Sequence, residues 1–257
     1  MVLWCCNLPS ALSRQQRSAI CDPRGTGFGA EMPGSFGTGA ELMPAREKQT
    51  GRECVCCFNF GTGGNAMGNL MIREADIQDA AGIRAVYAPY VESTAITFEY
   101  DVPGVEEFRH RIARTQKRYP YFVAEEDGRI LGYAYAGPFA QRPAYDWAAE
   151  LSVYVDRKLH KKGLGKALYG ALLEALQKME ILDAYACIGY PETPDEYLDF
   201  NSAEFHAHLG FVPVGIFRNC GYKFNRWYHM IWMGKNLGEH RSGQPPVQPY
   251  PAVRDRV

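Results

Sequence analysis

From Leu70 onward the hydrophobic pattern switches repeatedly between a period of two and a period near 3.6, which excludes an all-helical or all-β domain. "LMIREA" alternates as a strand does, Asp76 takes the N-cap position, and "IQDAAGIRAVYAPYV" sets Ile77, Ala81, Ile83 and Val86 on one side of a helix. A second helix, "GVEEFRHRIARTQKR", follows. "YFVAEEDGRILGYAYAGPF" reads as two strands around Asp127-Gly128, a dipeptide that accepts the positive φ angles of a tight hairpin turn. "AELSVYVD" is the next strand, "LGKALYGALLEALQKM" a helix, "DAYACIGY" a strand and "SAEFHAHLG" a helix. "FVPVGIFRNCGYK" and "RWYHMIWMGKN" close the pattern as strands. The expectation is an α/β (α+β mixed) fold of about seven strands and about four helices over residues 70–240.

The flanks carry neither period. Residues 1–69 contain the near-copies "GAEMP" and "GAELMP" in a Gly-rich setting and are expected to form a disordered Cys/Gly-rich extension. Met71 is a natural start, so a start-site artefact is the alternative. "GTGFGA" matches a dinucleotide-binding fingerprint in form only, since no strand precedes it and no helix follows. Residues 241–257 read as a Pro-rich extended tail on the surface. Of the eight cysteines, Cys5, Cys6, Cys21, Cys54, Cys56 and Cys57 lie upstream, and "CVCC" lacks a second Cys/His pair at zinc spacing. No metal is expected. Cys187 and Cys220 sit in strand-like runs as small hydrophobes.

Lys and Arg number 28 against 29 Asp and Glu, so no global basic field points to nucleic acid or an anionic membrane. The first 20 residues lack the basic and apolar regions of an export signal, and no apolar run reaches ~18 residues. A reduced, cytoplasmic setting is expected. Any anion site must be local.

Such a site is written in "VYVDRKLHKKGLGKALYGALLEAL", Val153 to Leu176. A strand runs into Gly163 and Gly165 and then a helix, whose first backbone N–H groups are free to bind phosphate. The glycines let the backbone approach the oxygens, while His160, Lys161 and Lys162 supply side-chain donors. A solvated basic turn is the plainer alternative. A P-loop needs Ser or Thr after Gly165-Lys166 and finds Ala167; a Rossmann turn wants Gly or Ala where Leu168 stands.

"HKKGLG" resembles the pyrophosphate loop of the GCN5-related N-acetyltransferases (GNAT). Residues 71–240 are similar to their phosphinothricin N-acetyltransferase branch through "YAYAGPFAQRPAYDWAAELSVYV", "GLGKALYGALLEAL", "NSAEFHAHLGFVPVG" and "CGYKFNRWYHMIWM". The resemblance implies the GNAT fold, with a mixed, mostly antiparallel sheet, and acetyl-CoA as co-substrate. It implies that His160, Lys161, Lys162, Gly163, Leu164, Gly165 and Lys166 hold the pyrophosphate, that Val153, Tyr154 and Val155 run along the pantetheine arm, and that Asn201 contacts coenzyme A. By the same resemblance Glu150 is the general base, His206 serves the leaving thiolate, and Phe98, Arg142 and Tyr145 meet the substrate, a small amine such as an amino acid or analogue. A homodimer is implied as well. His160 departs from the usual Gln or Arg, and Ala140 stands where phosphinothricin enzymes carry Lys.

The residues' own chemistry agrees, with alternatives. An amine must lose a proton to attack a thioester, and Glu150 is a carboxylate on the strand that leads into the loop; a solvent-facing glutamate is its plainer reading. His206 could protonate sulfur or be a helix-surface histidine, and His208 should face away from it. Arg142 can clamp a carboxylate in bidentate fashion or pair with Asp146. The segment "YPETPDEYLDF" before Asn201 can shape a pocket or a dimer contact. The rival functions are a non-catalytic acyl-CoA-binding sensor using the same loop, and a Cys-rich interaction module with an unrelated folded passenger.

Overall fold

The computed structural model describes residues 70–160 and 162–255. The expected extension over 1–69 and the loop residue Lys161 lie outside them. Seven strands, β1 (Met71–Glu74), β2 (Tyr121–Glu126), β3 (Arg129–Pro138), β4 (Ala148–Val155), β5 (Asp183–Tyr190), β6 (Val212–Lys223) and β7 (Arg226–Asn236), form one sheet in the order β1-β2-β3-β4-β5-β7-β6. Four helices, α1 (Ala80–Ser93), α2 (Val105–Thr115), α3 (Leu164–Lys178) and α4 (Asn201–His208), flank it. The β2–β3 turn is the hairpin that Asp127-Gly128 specifies, with φ of 48° and 78°. All strand pairs are antiparallel except β4 with β5, which α3 joins as a crossover.

Through its centre the sheet is covered on both faces. On one, Ala149 and Leu151 of β4 pack with Leu168, Leu172 and Leu176 of α3. On the other, Val123 and Tyr133 pack with Ile83 and Val86 of α1 and Phe108 and Ile112 of α2. The α1 face differs from the sequence reading. Ile77 and Ala81 are exposed, and the buried positions are Ala80, Ile83, Val86, Tyr87, Tyr90 and Val91. The first turn is a tighter 3-10 turn, Ile77–Asp79, held by a capping box with Asp76, so the phase of the α-helix is set only from Ala80. The C-terminal tail carries little regular structure, but it does not simply lie on the surface. Trp147 Nε1 donates to Pro245 O (2.8 Å), Tyr250 N to Arg118 O (2.8 Å), and Tyr250 and Val253 are buried.

One pairing fact positions the site. β4 pairs with β5 only at Ala148–Asp183, Ala149–Ala184 and Glu150–Tyr185, although β3 accompanies β4 to Val155 and β7 accompanies β5 to Tyr190. The sheet therefore forks after Glu150.

The acidic segment before α4 docks on the turn between β6 and β7. Leu198 is buried with Ala95 and Tyr228, Asp195 and Glu196 pair with Arg226, and Tyr197 stacks on Phe224 at 4.2 Å. Phe224 has φ of 50°, an unfavourable backbone state for a bulky side chain that this stack helps to hold.

Lys223 ties the same region to the end of α1. Its buried Nζ donates to Thr94 O (2.9 Å) and Thr97 O (2.8 Å), and burial lowers its pKa to about 8. A neutral amine still has the two N–H donors that these carbonyls need. Lys223→Met strands both acceptors, and we expect a loss of roughly 2–4 kcal/mol in urea unfolding. The native lysine gives up its proton near pH 8, while an unfolded lysine keeps it to about 10.4. The unfolded state binds more protons in that window, so the stability difference between wild type and Lys223→Met should widen as pH rises across it.

Candidate active site

Glu150 is the last residue of β4 to pair with β5, facing Gly137 on β3 and Tyr185 on β5. Its side chain shares a sheet face with Ser152 and Tyr154, on the α1/α2 side. It is half-buried, its carboxylate has no hydrogen-bond partner among the described residues, and burial alone pushes its pKa up. A carboxylate so placed binds a proton more readily than a surface glutamate does.

Beyond the fork, Val153 and Val155 turn toward the α3 face, while Tyr154 packs edge-on against Tyr87 (4.9 Å) and Tyr90 (5.1 Å). The chain then makes a 3-10 turn, Arg157–Leu159, capped by Asp156, whose side chain accepts from Lys158 N (3.0 Å). His160 and Lys162 are exposed. Gly163 is the N-cap of α3 with φ of 81°, and it offers no capping side chain. The first helical bond runs from Ala167 N to Gly163 O, so the N–H groups of Leu164, Gly165 and Lys166 have no intrahelical partner. No acidic side chain occupies the first turn. The positive end of the helix is open to an anion.

The two glycines act differently. Gly163 supplies the left-handed backbone, whereas a Cβ on Gly165 would lie 3.2 Å from the Phe205 ring on α4, so Gly165 serves close helix packing. Leu164 is buried and fixes the helix start in the core. Lys166 is exposed. Asn201 opens α4 with its side-chain nitrogen bonded to Asp199.

His206 is not brought to an open position. It is 4% exposed, its Nδ1 donates to Ser202 O (2.7 Å), and its Nε2 meets Tyr169 Oη at 2.9 Å. Burial lowers its pKa, so the ring is a neutral acceptor for the tyrosine. To protonate a leaving group it would have to give up one of these bonds. His208 is exposed, as expected of the neighbouring position.

On the acceptor side Arg142 is exposed, and Asp146 pairs with Arg118 (3.1 Å) instead of Arg142. Tyr145, 43% exposed, touches Phe139 at 6.0 Å, and Phe139 packs on Tyr185 (4.7 Å), the residue opposite Glu150. Phe98 lies on Gly221 of β6, where a Cβ would collide with its ring. Sequence reading missed Tyr90, which contacts His160, and Tyr169, which contacts His206, both in apolar patterns where a hydroxyl leaves no periodic signal. Among the described residues no group of three His, Cys, Asp or Glu is arranged to hold a metal ion, and no helix is long and apolar enough to cross a membrane.

The acetyltransferase (GNAT) domain matches residues 72–232. The chain belongs to the GNAT acetyltransferases. Among this family's curated members it is 35% identical over 178 residues, 69% of this chain and 93% of the relative, to the phosphinothricin N-acetyltransferase of Streptomyces viridochromogenes. It is 34% identical over 173 residues, 66% of this chain and 96% of the relative, to the L-methionine sulfoximine/L-methionine sulfone acetyltransferase of Pseudomonas paraeruginosa. A solved GNAT phosphinothricin acetyltransferase from Sinorhizobium meliloti, in complex with acetyl-CoA, superposes with a TM-score of 0.62 at 29% identity, over 70% of this chain and 98% of that one. As a GNAT member the chain is an acyltransferase.

Proposed function

We propose that this acyltransferase moves the acetyl group of acetyl-CoA to the α-amine of a small amino acid or analogue, of the phosphinothricin or methionine sulfone/sulfoximine type, by direct attack with Glu150 as general base. The observation that carries the reading is the unpartnered, half-buried carboxylate of Glu150 at the fork between β4 and β5, on the strand that leads into the open start of α3. When bound, the coenzyme supplies the activated acyl group as a thioester. The residues present fit it: the N–H groups of Leu164, Gly165 and Lys166 suit a diphosphate, and the edge of β4 from Leu151 to Val155, which β5 leaves, suits an extended amide-bearing arm. Asn201, at the start of α4, would contact the coenzyme.

Glu150 takes a proton from the substrate ammonium, directly or through one water, so that the free amine attacks the thioester carbonyl and expels coenzyme A as the thiol. Burial that raises the Glu150 pKa makes it the stronger base for that step. Arg142, with no ion-pair partner among the described residues, clamps the substrate carboxylate, and Phe98 and Tyr145 line the approach. The exposed apolar side chains of Val212, Val214 and Ile216 on the edge strand β6 support a homodimer. The enzyme is assigned to the cytoplasm.

The test is free-thiol release from acetyl-CoA with a panel of amino acids, their analogues and simple amines. The reading expects turnover with α-amino acids and weak turnover with amines that lack the carboxylate. Coenzyme binding without thiol release above the no-amine control would favour the sensor instead.

A further inference from the structure

Two side chains of α1, Tyr90 and Ser93, reach the turn between β4 and the Gly163 loop. Tyr90 is buried (4% exposed), its ring packs edge-on against Tyr154, and its Oη donates to Val155 O at 2.6 Å. The same oxygen meets His160 Nε2 at 2.9 Å. A phenol has one proton, and here the carbonyl of Val155 takes it, because a carbonyl can only accept. Toward His160 the hydroxyl is therefore an acceptor, and Nε2 is the protonated nitrogen. One turn further along α1, Ser93 Oγ accepts from Arg157 Nη1 at 2.6 Å. The last two turns of α1 thus hold the end of β4, Arg157 and His160, three points on the path into the loop.

We propose that Tyr90 is a positioning residue for the coenzyme loop, fixing the end of β4 and His160 through a single hydroxyl, a role that rests on the reading of that loop given above. The hydroxyl does not touch the reacting atoms. It sets where the chain leaves β4, and with it the direction from which His160 and the uncapped turn of α3 face the diphosphate. Burial raises the Tyr90 phenol to about 12, so it remains a donor to Val155 throughout the neutral range. Tyr90 also stands four residues before Thr94, whose Oγ1 donates to Tyr90 O at 2.6 Å, so the helix end that grips the loop leads directly into the segment carrying Phe98.

Tyr90→Phe keeps the ring packing and removes the two hydroxyl contacts. In the full chain, calorimetry with coenzyme A as the probe should give a Kd raised about tenfold, the scale of one lost buried hydrogen bond. The kcat at saturating acetyl-CoA and the KM for the amino acid should stay within about twofold. Tyr90→Phe and His160→Ala together should weaken coenzyme A binding by less than the product of their separate effects, because both break the same contact. An unchanged Kd in Tyr90→Phe overturns the proposal. So do fully multiplicative effects in the double variant, or a fall in Tm and kcat with both KM values rising together, the pattern of a purely structural residue. Failure of the wild-type chain to bind coenzyme A would instead overturn the reading of the loop itself.

Discussion

Replacing Glu150 with glutamine should lower kcat/KM by about 10²–10⁴-fold near neutral pH and leave coenzyme binding intact. Glutamine keeps the size and polarity of the side chain at the fork and removes only its ability to accept a proton. No hydrogen bond ties the Glu150 carboxylate to a described residue, so the substitution breaks no contact that holds β4. The pH dependence carries the sign. The active base is the ionised carboxylate, and burial raises its pKa above the ordinary glutamate value. Wild-type kcat/KM should therefore fall as pH drops through the raised pKa of Glu150. The variant should lack that limb, and its deficit should shrink as pH approaches the pKa of the amine, where the substrate arrives already deprotonated. A structural loss would be constant across pH.

The second large effect is expected at Gly163. Valine there must adopt φ near 81°, a state that disfavours Cβ-bearing residues by about 1–2 kcal/mol and β-branched ones most, so the turn that presents the free N–H groups of α3 would be displaced. The KM for acetyl-CoA should rise more than about tenfold, with the KM for the amine within about twofold. Gly165→Val should behave differently. Its Cβ meets the Phe205 ring, so the damage goes to the packing of α3 on α4 and appears first as a lower Tm. Equal, coenzyme-specific defects at the two positions would contradict this division.

Local chemistry made much of the fold legible. Asp127-Gly128 dictates its turn by backbone preference, and the run from Val153 through Gly163 and Gly165 places a strand, a tight turn and a helix start within a few residues of each other. The phase of α1 was misread at Ile77 and Ala81 because a capped 3-10 turn precedes the helix, and periodicity carries no mark for that change of pitch. Glu150 was singled out by its resemblance to a family position. Its isolation at the fork depends on how far β4 follows β5, a long-range pairing that no local pattern encodes. His206 shows the converse. Resemblance to a family position singled it out, and only the fold shows that Tyr169, 37 residues away, and Ser202 meet its two ring nitrogens. Lys223 was not singled out in the sequence, since only the fold brings the carbonyls of Thr94 and Thr97 to its Nζ.

The most direct test of the account is the time course of free thiol release from acetyl-CoA with L-methionine sulfone or L-phosphinothricin, run for wild type and Glu150→Gln across pH. The account predicts amine-dependent thiol release matched mole for mole by N-acetylated product, with an acid limb in the wild type that the variant lacks. Full activity of Glu150→Gln over the whole pH range, in a chain that binds coenzyme A normally, would contradict it.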